Sequence, residues 1–363
     1  MLVLKLITDH HADKVIAFEP VSNDRQSGVV VSASGDFSGG LMDALSDVLR
    51  AVRLSGAFFF DVHACAPWCA ETPFGKTVVD AMFPGSDHLI CYHLLMEGSC
   101  WATLEGEEPI KLVAGDIIVL PHGDTHVLAT TPGMRQTPEM SMYRRPSDGK
   151  MPSKISVSGG GGESAHFVCG FLGCDSRPYN PLLTALPKVI VINDHGSGAL
   201  GAYFRAALAE STGDRMGSAD LLGRISELMF VDVVRRYLES LPPDRTNWLS
   251  GLRDQYVGRA LMALHAKPSH NWTLEALAQE AALSRSSFAE RFVQFVGHPP
   301  MQYLTNWRMQ LATNYLRMGT ESVASIANRV GYESEAAFSR AFKKVVGAPP
   351  SEWREQRLTG NAA

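Results

Sequence analysis

The sequence predicts an α+β chain of two domains, with a β-barrel in the first half and an all-α module of two repeated helix pairs near the end. Three observations lead there. Short β-favouring runs, separated by Gly, Pro and acidic turns, fill the stretch from Gly56 to about Asp194. From Trp248 onward, apolar residues recur at helical spacing and are cut by capping residues. Finally, "SSFAERFVQFVGHPP" (286–300) returns as "AAFSRAFKKVVGAPP" (336–350), repeating F-x3-F-x4-G-x-P-P at a displacement of 50 residues. Many short strands at close intervals make a sandwich or barrel, and a 3.6-residue period makes amphipathic helices.

Bulk composition sets the frame. A chain of 363 residues with 45% hydrophobic content has a soluble globular composition with room for two or three domains. No apolar run approaches the roughly 18 residues of a membrane span. The opening "MLVLKLITDHHADKVIAFEP" puts acidic and His residues where a signal peptide needs its apolar core, so a cytoplasmic protein is expected. Residues 1–40 read as an N-terminal extension, and a native start after the first 28 or so stays open. The net charge of −5 is unevenly spread. Residues 256–357 hold 12 basic against 8 acidic side chains, the remainder 21 against 30. A mildly basic module on an acidic body suits a nucleic-acid reader, though the signal is weak by itself. Cys65, Cys69, Cys91, Cys100, Cys169 and Cys174 all lie in the first half. In a reducing compartment they are thiols or metal ligands before they are disulfides, and buried apolar thiols are the simpler reading.

Taken in order, "LMDALSDVLRAVRL" (41–54) reads as an amphipathic helix, followed by the strand-like runs "GAFFFDVHAC", "HLICYHLLM", "SCWATLEG", "IKLVAGDIIVLP" and "THVLAT". The glycines of 159–162 lack a following Gly-Lys-Ser/Thr and read as a loop. In "ADLLGRISELMFVDVVRRYLESL", Leu221, Ile225, Leu228, Met229, Val233, Tyr237 and Leu241 share roughly one face, and Pro242-Pro243 ends the helix. It covers the barrel or mediates dimerisation; one broad stripe allows both. The expected organisation is 1–40 extension, 41–215 barrel, 216–250 linker or dimerisation helix, and 251–357 helical module.

The repeat has a mechanical reading. Phe288/Phe292 and Phe338/Phe342 stand four apart on one helix face. Gly297 and Gly347 fall where a left-handed C-cap is wanted, and Pro pairs follow them. Thr273, Ser284 and Ser334 are placed as N-caps. A shorter helix precedes each anchored one, "LEALAQEAAL" and "VASIANRVGY", giving the helix-turn-helix plan twice. With Phe facing inward, the first anchored helix turns outward Arg285, Ser286, Ser287, Ala289 and Glu290, and the second Glu335, Ala336, Ser339, Arg340, Lys343 and Lys344. Ser and Arg suit base edges or phosphates, Glu accepts from cytosine, and Ala packs on a thymine methyl. The connecting "PPMQYLTNWRMQLATNYLRMG" is long enough for a rigid helix of about 27 Å, which would set two reading helices about one DNA turn apart. A helical repeat for protein contacts is the alternative.

Here the wording resembles a known family. "IANRVGYESEAAFSRAFKKVVGAPPSEWR" and "NWTLEALAQEAALSRSSFAERFVQFVGHPPMQYLTNWRM" are similar to the DNA-binding module of the AraC/XylS transcription regulators, over about Asp254–Arg354. The resemblance implies that the second helix of each motif enters a major groove of promoter DNA. It puts Ser286, Ala289, Glu290, Glu335, Ala336, Ser339 and Arg340 at base-facing positions, with Glu290 where relatives often carry a basic residue. It also implies a homodimer, contact with RNA polymerase, a tilt toward activation, and no membrane partner.

The first half carries a second resemblance. Gly115-x5-Pro121-x-Gly123-x2-His126 reproduces the second cupin motif; Gly85-x5-Cys91-x-His93-x3-Glu97 fits the first, with Cys in place of its first His. A cupin-like barrel is expected. Residues 91 and 93 share a strand face, so Cys91, His93, Glu97 and His126 could converge on zinc or iron. A metal-free pocket for a small-molecule effector is the other reading, which the regulator resemblance favours, with no cofactor required; a merely structural barrel is the third. Two rivals follow: a metal-dependent cupin enzyme, and a cysteine-based redox or alkylation sensor acting through the same helical module.

Overall fold

The computed structural model describes residues 2–4, 18–20, 41–52, 54–143, 153–158, 160–193, 199–211, 216–242, 244–319 and 321–360. The expected extension, 1–40, therefore lies outside the described residues except for two short strands, β1 (Leu2–Leu4) and β2 (Phe18–Pro20). Helix α1 (Leu41–Ala51) precedes β3 (Ser55–Cys65), β4 (Cys69–Thr72), helix α2 (Gly75–Met82) and β5 (His88–Glu97). Then come β6 (Ser99–Leu104), β7 (Ile110–Val113), β8 (Asp116–Leu120), β9 (His126–Ala129), β10 (Ser153–Ser158) and β11 (Ser164–Cys174). Helix α3 (Pro181–Ala185), β12 (Ile190–Asn193), α4 (Ala199–Ser211) and α5 (Ser218–Ser240) follow. The rest is helical: α6 (Trp248–Arg253), α7 (Val257–Ala266), α8 (Leu274–Glu280), α9 (Arg285–Val296) and α10 (Pro300–Met318). The chain closes with α11 (Val323–Arg329), α12 (Glu335–Val346) and α13 (Pro350–Gly360).

Two compact units emerge. One takes in Leu54–Asp175 and Leu186–Ser240; the other takes in α1, Ser176–Ala185 and everything from Leu241. This division differs from the expected boundaries at three segments, Ser176–Ala185 among them. The amphipathic helix at 41–51 belongs with the helical unit, and α5 belongs with the barrel. Apolar periodicity says that a helix has a buried face, not which core receives it. Ala44, Leu45, Val48 and Ala51 of α1 are buried, in contact with α6, α7 and α10.

In the first unit, strands run in the order β10-β3-β11-β5-β8-β12 in one sheet and β4-β9-β6-β7 in the other. The β10–β3 pairing is parallel and the remaining ladders are antiparallel. Alternation builds the shared core: Phe60 and Val62 of β3, Leu89, Cys91 and Leu95 of β5, Phe167 and Phe171 of β11, and Leu128 of β9 all enter one apolar cluster. The other face of the six-stranded sheet is covered by helices. Tyr92 packs edge-on against Phe204 of α4, and its hydroxyl donates to Ser226 Oγ of α5 at 3.0 Å. A Cβ on Gly170 would lie 1.8 Å from the Tyr92 ring, so only glycine lets that ring lie across β11.

The stripe of α5 is rotated from the expected one. Ile225, Met229, Val233 and Tyr237 are buried as predicted, joined by Leu222, Phe230 and Val234, while Leu221 and Leu228 are 45% and 52% exposed. The helix carries apolar residues on more than one face, and sequence period cannot rank them.

In the second unit the duplication is literal. Phe288, Phe292, Phe338 and Phe342 are all fully buried, and the two Phe pairs have the same ring separation, 5.5 Å. Each buried Phe contributes roughly 1.5–3 kcal/mol. The side chains of Thr273, Ser284 and Ser334 accept from Ala276, Ser287 and Ala337 N–H groups as N-caps. Ser322 caps α11 in the same way. Gly297 and Gly347 end α9 and α12 in the left-handed conformation, φ 79° and 94°.

Candidate functional site

Each helix pair presents an exposed surface opposite its phenylalanines. On α9, Arg285, Ser286, Ser287 and Glu290 are exposed and Ala289 half-buried; on α12, Glu335, Ala336, Arg340, Lys343 and Lys344 are exposed and Ser339 half-buried. All eleven side chains nominated from the sequence thus avoid the core. They are not equally free. Ser287 Oγ accepts from the capping Ser284 hydroxyl at 2.9 Å, and Arg285 pairs with Glu275 at 2.8 Å. That ion pair joins two exposed side chains, and such pairs contribute only about 0–1 kcal/mol, so little holds Arg285 in this arrangement. Arg291, also on α9, has a different task. Its Nε donates to both carboxylate oxygens of Asp254, at 3.0 and 3.2 Å, and its guanidinium lies over Tyr256 and Phe295. Burial pushes the Asp254 carboxyl up, but hydrogen bonds from Arg291 and from the Val257 and Tyr256 N–H groups outweigh it and hold the pKa below the usual range. Arg291 is therefore an internal brace between α9 and the loop before α7.

Between the pairs runs α10, 19 residues from Pro300 to Met318, about 28 Å at 1.5 Å per residue. It is the core of the unit. Tyr303, Trp307, Met309 and Leu316 are fully or almost fully buried. Trp248 Nε1 donates to the Tyr303 hydroxyl at 2.9 Å, which in turn donates to His265 Nε2 at 2.7 Å. Burial pushes the His265 pKa down to about 3, leaving the ring neutral and able to accept that proton.

The barrel interior holds a second constellation, and here the expected four-residue site is corrected. His93 of β5 and His126 of β9 face inward from different sheets and meet Nε2 to Nε2 at 2.6 Å. His126 Nδ1 donates to the Asp124 carbonyl at 2.8 Å. A neutral His126 then has a bare Nε2, so the His93 Nε2–H is the donor across the barrel. Burial lowers the His93 pKa well below its ordinary value and pushes that of His126 to about 4. At 2.6 Å the two Nε2 atoms share a hydrogen bond. Cys91 is fully buried in the apolar cluster, and burial pushes its thiol far up. Glu97 is exposed: it ends β5 past a register shift at His166/Phe167, which turns it out of the interior. Cys91, His93, Glu97 and His126 therefore do not converge.

The turn that delivers His126 does follow the motif. Gly123 sits at φ +65°, and a Cβ there would come within 2.5 Å of the Leu89 carbonyl oxygen.

A cavity lies elsewhere in the same interior. It measures about 340 Å³ and is lined by Phe60, Val62, Thr72, Tyr143, Phe167 and Phe171, among others. None of the four nominated residues lines it. Its apolar walls were implicit in the alternation of "FFFDVHAC" and "HFVCGF", which turns Phe60, Val62, Phe167 and Phe171 to one side; the motif match drew attention to polar residues instead. The cysteines follow the simple reading. All six are free thiols, with only Cys65 short of full burial, and they do not form a thiolate cluster among the described residues.

Comparison with known proteins likewise separates a front half from a helical end, with most of α1 and all of Ser176–Ala185 falling inside the first match. A family model described as Cupin matches residues 43–239, and one described as Helix-turn-helix domain matches 277–356. The chain is 32% identical to an AraC-like transcription regulator of Streptomyces lividans, over 86% of this chain and 98% of that protein. It is 31% identical to an AraC-like transcription regulator of Streptomyces antibioticus, over 87% of this chain and 100% of the other. It is 29% identical to the HTH-type transcriptional regulator AlkR of Acinetobacter baylyi, over 87% and 100%. These relatives are named as regulators of transcription and not as enzymes. Among the described residues no helix is long and apolar enough to cross a membrane. With a cupin domain in front and a duplicated helix-turn-helix behind, the chain belongs to the AraC-like transcription regulators, whose helix-turn-helix domain binds double-stranded DNA.

Proposed function

We propose that α9 and α12 are the reading helices, laid in successive major grooves of promoter DNA with α10 as the rigid spacer. The DNA-binding module spans 251–357. The observation that carries this reading is the complete burial of Phe288, Phe292, Phe338 and Phe342, which leaves both opposite surfaces to solvent. Ser286, Ala289 and Glu290 read bases from the first helix; Glu335, Ala336, Ser339 and Arg340 read from the second. Arg285, Lys343 and Lys344 hold phosphates, and Ser287 assists at the N-terminal end of α9. Acidic Glu290 makes the first helix the weaker reader, since it faces a polyanion.

The barrel is the sensor. Its 340 Å³ cavity is within the usual range for a small-molecule site, and its lining sets the rings of Phe60, Phe167 and Phe171 beside polar Glu71, Thr72, Gln136 and Glu139, which suits an amphipathic effector. The effector acts by differential affinity for two arrangements of the DNA-binding module. The protein works in the cytoplasm as a homodimer, with exposed Leu221 and Leu228 of α5 as contact residues, and activates transcription by meeting RNA polymerase. Two observations weigh against the rival readings. His93 and His126 gather no third ligand among the described residues, and five of the six thiols are buried.

The test is capture of fragments of the source genome by the purified full chain, followed by sequencing and gel-shift titration. Retention of a small set of fragments sharing a repeated half-site, weakened by Arg340→Ala, is the expected result. Uniform retention of all fragments, or none at moderate ionic strength, refutes the reading.

A further inference from the structure

On the back of the cavity wall, three metal-competent side chains meet. Phe60 and Val62 of β3 and Phe167 of β11 line the cavity; the residues between them point the other way. Among these are Asp61, His63 and His166. His63 and His166 are directly opposite each other in the β3–β11 ladder, and their rings stack at 4.1 Å and 12°. Both Nε2 atoms face one carboxylate oxygen. Asp61 Oδ1 is 2.7 Å from His166 Nε2 and 3.6 Å from His63 Nε2. The three ligand atoms lie within 4.8 Å of one another, and this is the one such group of His, Cys, Asp and Glu among the described residues.

We infer that Asp61, His63 and His166 form a binding site for a divalent transition-metal ion of the zinc class. Two neutral imidazoles and one carboxylate are a common ligand set for such an ion when one position is left to water. The burial gradient suits that open position. The Asp61 side chain is 8% exposed and that of His166 17%, whereas that of His63 is 59% exposed and faces solvent. The 2.7 Å contact is at present a hydrogen bond, His166 Nε2–H to Asp61. Metal takes the place of that proton: His166 moves to its Nδ1–H tautomer, and Nε2 becomes the ligand with no net change in charge on the ring. His93 and His126, both buried, have no third ligand group of this kind beside them among the described residues. Opening Asp61 and His166 by a few tenths of an ångström lets both bind one ion, and His63 has the surface freedom to follow. The ion would clamp β3 to β11, the two strands that also wall the cavity.

The experiment uses the full chain, treated with chelator and then titrated with Zn²⁺ alone by calorimetry and by competition with a chromophoric chelator. One ion per chain is expected, with affinity reduced at least tenfold in His63→Ala and in His166→Ala. His63→Ala is the decisive variant because its side chain is largely exposed and its removal leaves the core intact, as far-UV circular dichroism checks. Co²⁺ substitution should give a spectrum without a thiolate charge-transfer band. Absence of stoichiometric Zn²⁺ binding, equal affinity in His63→Ala, or loss of binding in Cys65→Ser with both histidine variants unaffected would each overturn the assignment.

Discussion

His93 and His126, carried by different sheets, meet Nε2 to Nε2 at 2.6 Å inside the barrel. Both are held neutral by burial, with the pKa of His126 at about 4 and that of His93 well below 6.5. An unfolded chain titrates both near 6.5. Below that pH the unfolded state binds more protons, so stability is complete above about pH 6.5 and declines as pH falls toward 4. The expected slope is at most about 1.4 kcal/mol per pH unit for each histidine. Urea melts between pH 7.5 and 4.5 measure it, and the double variant His93→Leu/His126→Leu should give a flatter profile. A double variant as acid-sensitive as the parent would show that this pair does not drive the loss.

Phe342→Ala leaves a cavity in the core of the second helix pair, where Phe342 is fully buried beside Phe338 and Trp353. The expected loss is about 3–5 kcal/mol, read as a lowered midpoint for the helical unit. An unchanged melting curve would mean that the inward and outward faces of α12 have been exchanged.

Arg340→Ala and Lys343→Ala separate sequence reading from phosphate holding. Arg340→Ala should weaken the specific site by about 1–3 kcal/mol while sparing unrelated DNA. Lys343→Ala should weaken both to a similar degree and reduce the salt slope by about 1. Gel shifts at several salt concentrations distinguish them; identical behaviour of the two variants would reject the assigned roles.

Gln310 ties three segments of the helical unit together. Its Oε1 accepts from the Tyr179 N–H at 3.1 Å, and its Nε2 donates to the Ala51 carbonyl at 3.2 Å. The residue is fully buried, so Gln310→Ala takes the acceptor from the Tyr179 N–H, while Asn314 Nδ2 still reaches the Ala51 carbonyl at 2.9 Å. A loss of about 1–3 kcal/mol is expected, with increased hydrogen exchange in α1 and around Tyr179. Unaltered exchange in both segments would contradict the clasp.

Thiol labelling tests burial directly. Burial pushes the thiols of Cys91, Cys100, Cys169 and Cys174 upward, and it is the leading cause for Cys69 as well. In the native chain a maleimide should modify Cys65 first, and the other five only with unfolding. Rapid native labelling of Cys169 or Cys174, read by peptide mass spectrometry, would reopen the cysteine-sensor reading.

The sequence by itself determined whatever depends on local period and local backbone chemistry. Phe288/Phe292 and Phe338/Phe342 had to share a helix face, Ser284 and Ser334 to cap, Gly297 and Gly347 to end their helices, and Gly123 to turn the strand that carries His126. These outcomes follow from bonds and contacts within a few residues. Only the tertiary structure decided which core received α1, which stripe of α5 was buried, and where the cavity opened. It also decided that Glu97 leaves the interior beyond a bulge, while Asp61, His63 and His166 gather on the reverse of the sheet. Those outcomes depend on strand register and on which elements become neighbours across the fold, and a residue's own stretch of chain carries no measure of either.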